Sequence, residues 1–288
     1  MSNLRVRRIP FEFKDVEFIW NPENPAFSII GNLVSFGAVG FERWLCLAFR
    51  QAQDLIRDPA VREECELFIK QEAIHSAVHA NHCKELIVQY PEFAQTQEKV
   101  IDYYCKLLDE KPLELNVAMG AALESTFTPT FRYIIDNRRS LMHGGDARVA
   151  SALLWHFCEE IEHRSSALNV YQHIYGNRFR LLEILPQSLL YMRGLSGLMI
   201  REFVRVVPEE MARARLSEAW AGIPSWQKYR MLFNLLLSQT PWHNPKRAAL
   251  PRWANKWHAA YDAGTDMTQF VGVRVGGCEP IVPELRSE

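Results

Sequence analysis

Gln71-Glu72-Ala73-Ile74-His75 and Glu159-Glu160-Ile161-Glu162-His163 are the two stretches on which the reading of this chain turns. Each sets a Glu-x-x-His pair in a strongly helical segment. Residues three apart on an α-helix share a face, so the carboxylate and the imidazole reach one cavity. Two such helices supply two glutamates and two histidines. A dinuclear centre needs more anionic oxygen, and helical bundles of this kind take one further Glu from each of two other helices. Glu42, 30 residues before Glu72, and Glu124, 36 before Glu160, fit that place. Each interval holds a descending helix, a turn and half an ascending helix.

Outward from these motifs, residues 35–56 carry a helical pattern that closes at Asp58-Pro59. Asp58 caps, and Pro59 opens a second helix running to about Gln89, before Pro91. A connecting helix over about 93–108 crosses to a third bundle helix, 113–138, which bears Glu124. His143-Gly144-Gly145-Asp146 is a loop, with Asp146 capping a fourth helix that continues to about Tyr175 before Gly176-Asn177. Residues 1–26 read as an extended arm and a loop. Further helical patterns lie near 180–206, 209–221 and 225–239, separated by Pro208 and Pro224; the stretch 241–288 holds Trp242, Trp253 and Trp257 with little periodicity. Strand signals are too few for a sheet. The expectation is an all-α single domain over 1–288, with its metal-binding core at 27–175, accessory helices at 180–240 and a tail at 241–288 packed on the bundle.

Through Glu42, Glu72, His75, Glu124, Glu160 and His163 the chain resembles the ferritin-like di-iron carboxylate proteins over residues 27–175. Its His-rich second helix is similar to a bacterial family known as predicted metal-dependent hydrolase. The superfamily resemblance implies a ferritin-like four-helix bundle with additional C-terminal helices. It also implies two iron ions, or a Mn/Fe pair, bridged by Glu72 and Glu160, with His75 and His163 each giving a nitrogen and Glu42 and Glu124 as terminal ligands. Hard oxygen plus imidazole suits those metals better than a thiolate-loving ion. Arylamine N-oxygenases of the same class carry an extra metal-binding histidine one turn ahead of the Glu-x-x-His. His156, four residues before Glu160, falls on that position, either as a seventh ligand or as a hydrogen-bonded histidine of the pocket wall. Related proteins often hold, directly before the motif Glu, a residue that orients the opposite helix's histidine, which is the place of Gln71 and Glu159. Glu159 also competes with Glu160 as a ligand, being four residues from His163.

Helical register extends the site. His79 and His82 continue the stripe of Glu72 and His75, with His79 expected to line the cavity or supply protons and His82 to near the helix surface without a role. Cys46 follows Glu42 on its face, and Gly120, Phe127 and Thr128 share that of Glu124. This mixture predicts a largely apolar pocket with small residues near the metals, although core packing explains the phenylalanine equally well.

Composition narrows the classes. With 48% apolar residues and a net charge of −1, the chain is neither disordered nor a polyelectrolyte binder, and nucleic acid is not an expected partner. The short clusters Arg5, Arg7, Arg8 and Arg138, Arg139 read as solvated surface. The six cysteines, Cys46, Cys65, Cys83, Cys105, Cys158 and Cys278, show no C-x-x-C spacing, which points to a reduced, cytoplasmic protein. Residues 1–10 lack the apolar core of a secretory signal. The most apolar stretch, 181–207, is interrupted by Glu183, Pro186, Arg193, Arg201, Glu202 and Arg205, so no transmembrane span is expected there, though an amphipathic face against a membrane or partner stays open. The leading functional expectation is an oxidase or oxygenase that activates O2 to oxidise a small, largely apolar organic molecule. A dinuclear metal-dependent hydrolase is the alternative; iron storage and a metal-free helical interaction protein rank lower. An electron-donor protein and a homodimeric assembly are left open.

Overall fold

The computed structural model describes residues 4–212 and 214–272; Cys278 and the rest of the expected tail beyond 272 lie outside the described residues. Helix α1 spans Pro25–Ala52, ten residues longer at its start than the apolar pattern indicates. Its cap explains the extension: the Asn24 side chain accepts the Phe27 N–H at 3.1 Å, and Pro25 takes the first helical position, where no backbone donor is needed. Asp58 and Pro59 repeat the device at the start of α2, Pro59–Gln89. Helix α3, Phe93–Glu110, crosses to α4, Leu113–Asp136, followed by the short α5, Arg138–Met142. Asp146 accepts from the Arg148 N–H at 2.8 Å and opens α6, Ala147–Glu162, which leads into α7, Ser166–Ile174. The remainder comprises α8, Arg178–Val206; α9, Glu209–Ala212; α10, Ser225–Ser238; and α11, Arg252–Asp262. The fold is all-α, with no strand among the described residues.

Helix α1 packs on α2 and α3, α4 packs on α6 and α7, and contacts of α1 with α4 and of α2 with α7 close a four-helix core. Helices α8 and α10 then cover α4 from outside.

Three further spans differ from expectation. The fourth bundle helix does not run unbroken to Tyr175: it stops at Glu162, with His163 at its C-cap, and resumes at Ser166. Side chains compete for the backbone at the break. Arg164 Nη1 donates to the Ile161 carbonyl at 2.6 Å and its Nε to the Pro245 carbonyl at 2.9 Å, while Ser166 Oγ and Asn169 Nδ2 donate to Glu64 of α2 at 2.8 and 3.1 Å. The pattern at 209–221 splits into α9 and a 3₁₀ turn, Leu216–Trp220. Conversely, the tail contains α11, whose Trp253 and Trp257 lie four residues apart and are buried, whereas Trp242 is exposed.

The apolar core forms two clusters. One joins α1, α2, α3 and α8 through residues such as Phe36, Trp44, Phe49, Phe68 and Phe203. The other joins α4, α6, α11 and the N-terminal arm through Phe131, Trp155, Phe157, Trp257 and Phe11. Along the arm, Ile9, Phe11 and Phe13 point inward and Arg8, Pro10 and Glu12 outward, the alternation of an extended chain.

Gly120 sits where α4 approaches α1 closely. A Cβ there would meet Leu45 Cδ2 at 2.7 Å and Phe49 Cε2 at 3.0 Å, whereas one at Gly197 of α8 would meet only Arg201 Nη1, at 3.4 Å. Gly120→Ala is therefore expected to cost about 1–3 kcal/mol by overpacking. Gly197→Ala is expected to stabilise by about 0.5–1 kcal/mol through helix propensity. Urea denaturation of the two variants measures both signs.

Candidate metal centre

Between the two apolar clusters the structure brings together seven buried acid and histidine side chains. Glu42 comes from α1, Glu72 and His75 from α2, Glu124 from α4, and His156 and Glu160 from α6, with His163 just beyond its end. Aromatic rings enclose them: Phe68 meets the His163 ring edge-on at 5.0 Å, Trp155 meets His75 at 4.8 Å, and Phe131 lies 5.9 Å from His156.

Donor atoms of Glu42, His75, His156 and Glu160 fall within 4.8 Å of one another, and so do those of Glu72, His75, Glu160 and His163. His75 and Glu160 belong to both groups. Glu160 Oε1 is the common point, 2.9 Å from His156 Nε2, 3.5 Å from His75 Nδ1 and 3.6 Å from His163 Nε2. Glu42 Oε1 lies 3.2 Å from His156 Nε2, and Glu72 Oε1 3.1 Å from His163 Nε2. Glu124 stands outside both groups, its Oε2 3.6 Å from His163 Nδ1.

These side chains fit a pair of cations. Both oxygens of Glu72 and Glu124, one each of Glu42 and Glu160, Nδ1 of His75 and both nitrogens of His163 are buried with no hydrogen-bond partner. An unpaired buried carboxylate is expensive. Burial first, and then neighbouring carboxylates, push Glu42, Glu72 and Glu124 well above the usual carboxylate range, for Glu42 against the pull of His75. Glu160 goes the other way: burial would raise it, but His163, His156 and His75 hold it well below. Divalent cations would satisfy the unpartnered atoms, and a set of carboxylate oxygens with imidazole nitrogens matches hard or borderline ions. His156 is placed among these candidate ligands, with Nε2 facing Glu160 and Glu42.

Glu159 stands behind His75, not in the cage. Its Oε2 lies 2.9 Å from His75 Nε2, which turns the ring's Nδ1 toward Glu160. Its other oxygen accepts from Arg7 Nη1 at 2.9 Å. Burial opposes charge on His75, yet the hydrogen bond to Glu159 and the nearby carboxylates of Glu160 and Glu42 outweigh it and push the group up to about 10. Arg7, read from sequence as solvated surface, is buried; besides Glu159 it donates to both oxygens of Glu162, at 2.7 and 3.0 Å. The alternation Arg7, Ile9, Phe11, Phe13 was the signal that places it inside. Arg138 is also drawn from the surface, stacked 4.0 Å over the Trp253 ring. Gln71 does not face His163: its Nε2 donates to the Arg5 carbonyl at 3.0 Å and to Glu162 at 3.2 Å, so it supports the Arg7 ion pair.

A buried chain leaves the centre through His156. Its Nδ1 lies 2.8 Å from His79 Nε2, His79 Nδ1 lies 3.0 Å from Ser35 Oγ, and Ser35 Oγ lies 2.8 Å from His82 Nδ1. His82 is thus buried and partnered, contrary to its expected place near the helix surface, and Phe13 of the arm packs on it at 5.2 Å. The hydroxyl of Ser35 went unread because a single serine in a helix carries no motif. Burial lowers all three histidines, His156 and His82 to about 4 and His79, further opposed by His156, well below the ordinary value.

The expected apolar pocket is only partly there. Cys46 is buried with Sγ donating to the Ile69 carbonyl at 3.4 Å, and burial pushes its thiol up to about 12. Gly120 serves the α1–α4 contact and opens no space. Phe127 packs between Phe41 and Phe131, and Thr128, one turn beyond Glu124, has a buried hydroxyl without a partner.

The family described as predicted metal-dependent hydrolase matches this chain over residues 5–261. No curated protein and no solved structure matches it.

Glu160→Gln is expected to abolish retention of Mn(II) while leaving helicity intact, read by metal analysis after gel filtration and by circular dichroism. Cation binding must displace protons from Glu42, Glu72, Glu124 and His75, whose metal-free forms hold them to unusually high pH. The raised groups stabilise the metal-free fold at low pH and lose that contribution as pH rises through their folded-state values. The increase in Tm given by Mn(II) should therefore grow from pH 6 to pH 8.5; a constant or shrinking increase contradicts the assignment. Arg7→Met removes the guanidinium that Glu159 and Glu162 share and is expected to cost about 3–5 kcal/mol, measured by chemical denaturation.

Proposed function

The chain belongs to the predicted metal-dependent hydrolase family, and we propose that its buried centre hydrolyses a small, largely apolar ester or amide with two divalent metal ions. The observation that carries this reading is the gathering of six buried carboxylates and imidazoles, with unpartnered donor atoms, into two groups that share His75 and Glu160. Bound there, the ions would polarise the scissile carbonyl and acidify a water molecule.

The protein's own residues do the rest. Arg7 fixes Glu159, and Glu159 fixes the tautomer and tilt of His75. Phe68, Trp155 and Phe131 exclude bulk water from the flanks, which strengthens every charge interaction inside. Hydrogen bonds running outward from His156 Nδ1 to His79 Nε2, from His79 Nδ1 to Ser35 Oγ and from Ser35 Oγ to His82 Nδ1 leave the lone pair of His156 Nε2 for the cage and hold its ring in place. Arg7, the cation nearest the His75 side of the cage, is occupied by Glu159 and Glu162, which favours an uncharged acyl substrate over a phosphoryl anion.

A second reading keeps the ferritin-like di-iron likeness. Four carboxylates against three imidazoles in an aromatic cage, with a Glu-x-x-His on each of two segments, favour ferrous ions and O2, with an electron-donor protein as partner. It ranks second because the family match carries hydrolysis and says nothing of oxygen.

One experiment separates them. Protein loaded anaerobically with Mn(II), Zn(II) or Fe(II) is assayed against a panel of 4-nitrophenyl esters and anilides, and the Fe(II) form is then mixed with O2 and followed in the near-ultraviolet and visible. Hydrolysis without O2 supports the first reading. Its absence with every metal, together with O2-dependent transient absorption, replaces it with the second. His79→Gln should lower metal affinity or kcat about 10–100-fold; wild-type values for both remove this role for the chain.

A further inference from the structure

We propose that the outer face of α10, continued by the first half of α8, docks on the surface of an anionic lipid bilayer. Helix α10 faces the protein with Gln227, Met231, Leu235 and Ser238; Gln227 Oε1 accepts from Asn137 Nδ2 at 2.8 Å. Its opposite face is apolar and uncovered among the described residues. Trp226, Tyr229, Leu232, Phe233, Leu236 and Leu237 are all exposed there, from 40% at Leu237 to 71% at Tyr229 and Leu236. Trp242, just past the helix, is exposed too. A surface helix normally points its apolar stripe at the core; here the stripe points away.

Helix α8 adds Phe179, Leu182, Leu189 and Leu190, which lie on one face by register and are exposed. Both helices pack on α4, and their ends meet where Arg178 Nη1 donates to the Pro241 and His243 carbonyls at 3.0 and 2.8 Å. The start of α8 thus lies beside the end of α10, and exposed apolar stripes of this kind mark a docking surface.

Charge selects the occupant. Between Glu218 and Asp262 the sequence has no acidic residue and carries Lys228, Arg230, Lys246, Arg247, Arg252 and Lys256, in a chain whose net charge is −1. Arg230, Lys246 and Arg247 are exposed, and Lys228, within the stripe, is half-buried. The acids near these faces are already engaged, Asp136 lying 3.7 Å from Arg230 and Glu183 2.6 Å from Arg180. Two copies of the chain pairing through this face by a two-fold axis would set these cations against themselves. An anionic headgroup layer meets them instead, with the apolar stripe reaching the acyl boundary and the tryptophan and tyrosine rings at headgroup level. The association is peripheral: the described helix long and apolar enough to cross a bilayer, α1, is buried in the bundle and bears Glu42.

The test uses the full chain with vesicles of equimolar phosphatidylglycerol and phosphatidylcholine, and with phosphatidylcholine alone. The expected result is co-sedimentation with the anionic vesicles, a blue shift of tryptophan emission and loss of binding in about 0.5 M salt. Phe233→Ser/Leu236→Ser, both at exposed positions, should lower partition about tenfold or more with unchanged circular dichroism. The proposal is overturned if the protein stays in solution with both vesicle types, or if it binds neutral vesicles equally well. It is also overturned if light scattering shows a dimer that the double variant converts to monomer while vesicles are ignored, which would give the face to a second copy.

Discussion

Four carboxylates held within one dry cavity repel one another, and most of what surrounds the centre answers that repulsion. Glu160 is the point where the answer is given. Three imidazoles converge on it and keep it ionised, while Glu42, Glu72 and Glu124 are pushed toward their neutral forms. Without cations the cage relies on protons for neutrality, which is a weaker and pH-sensitive substitute. Burial, aromatic enclosure and the outlying ion pair of Arg7 with Glu159 and Glu162 then read as one arrangement: charge is compensated in layers, from the acids outward through His75 to Glu159 and on to Arg7.

The same layering explains which parts of the molecule were legible in the sequence. Local signals were strong where the backbone itself needed them. Asp58-Pro59 and Asp146 place helix starts, and the two Glu-x-x-His runs with Glu42 and Glu124 upstream mark residues that the fold gathers into one cavity. Long-range compensation left weaker traces. Arg7 lies in a short basic cluster that looks like solvent-facing charge, and only the alternating burial of the arm distinguishes it from Arg8. Gln71 occupies a position expected to serve His163, yet the arm's carbonyl at Arg5 and the carboxylate of Glu162 claim its amide first.

Other misses have the same origin. The break after His163 is invisible to periodicity because its cause is a set of side-chain partners on α2 and beyond Pro245. Gly120 was assigned to pocket space by register, but register gives direction along a helix face and not the distance to the next helix, which here is short enough for Leu45 and Phe49 to fill the position. His82 looked peripheral by counting turns; the arm lies over that end of α2 and turns a surface position into an interior one.

Arg7 and its partners are separated by 152 and 155 residues, with much of the arm buried against helices that come after it in the chain. During synthesis the arm emerges before α6, on which Arg7 closes. Its guanidinium and the apolar residues beside it wait through the making of α1 to α5, and only when α6 has left the ribosome can the ion pair form, His75 be braced and the cage be sealed. The arm, made before the helix it pairs with, is thus among the last parts to be seated, and its closure becomes the event that separates a collapsed helical bundle from one able to hold the Glu159–His75 arrangement.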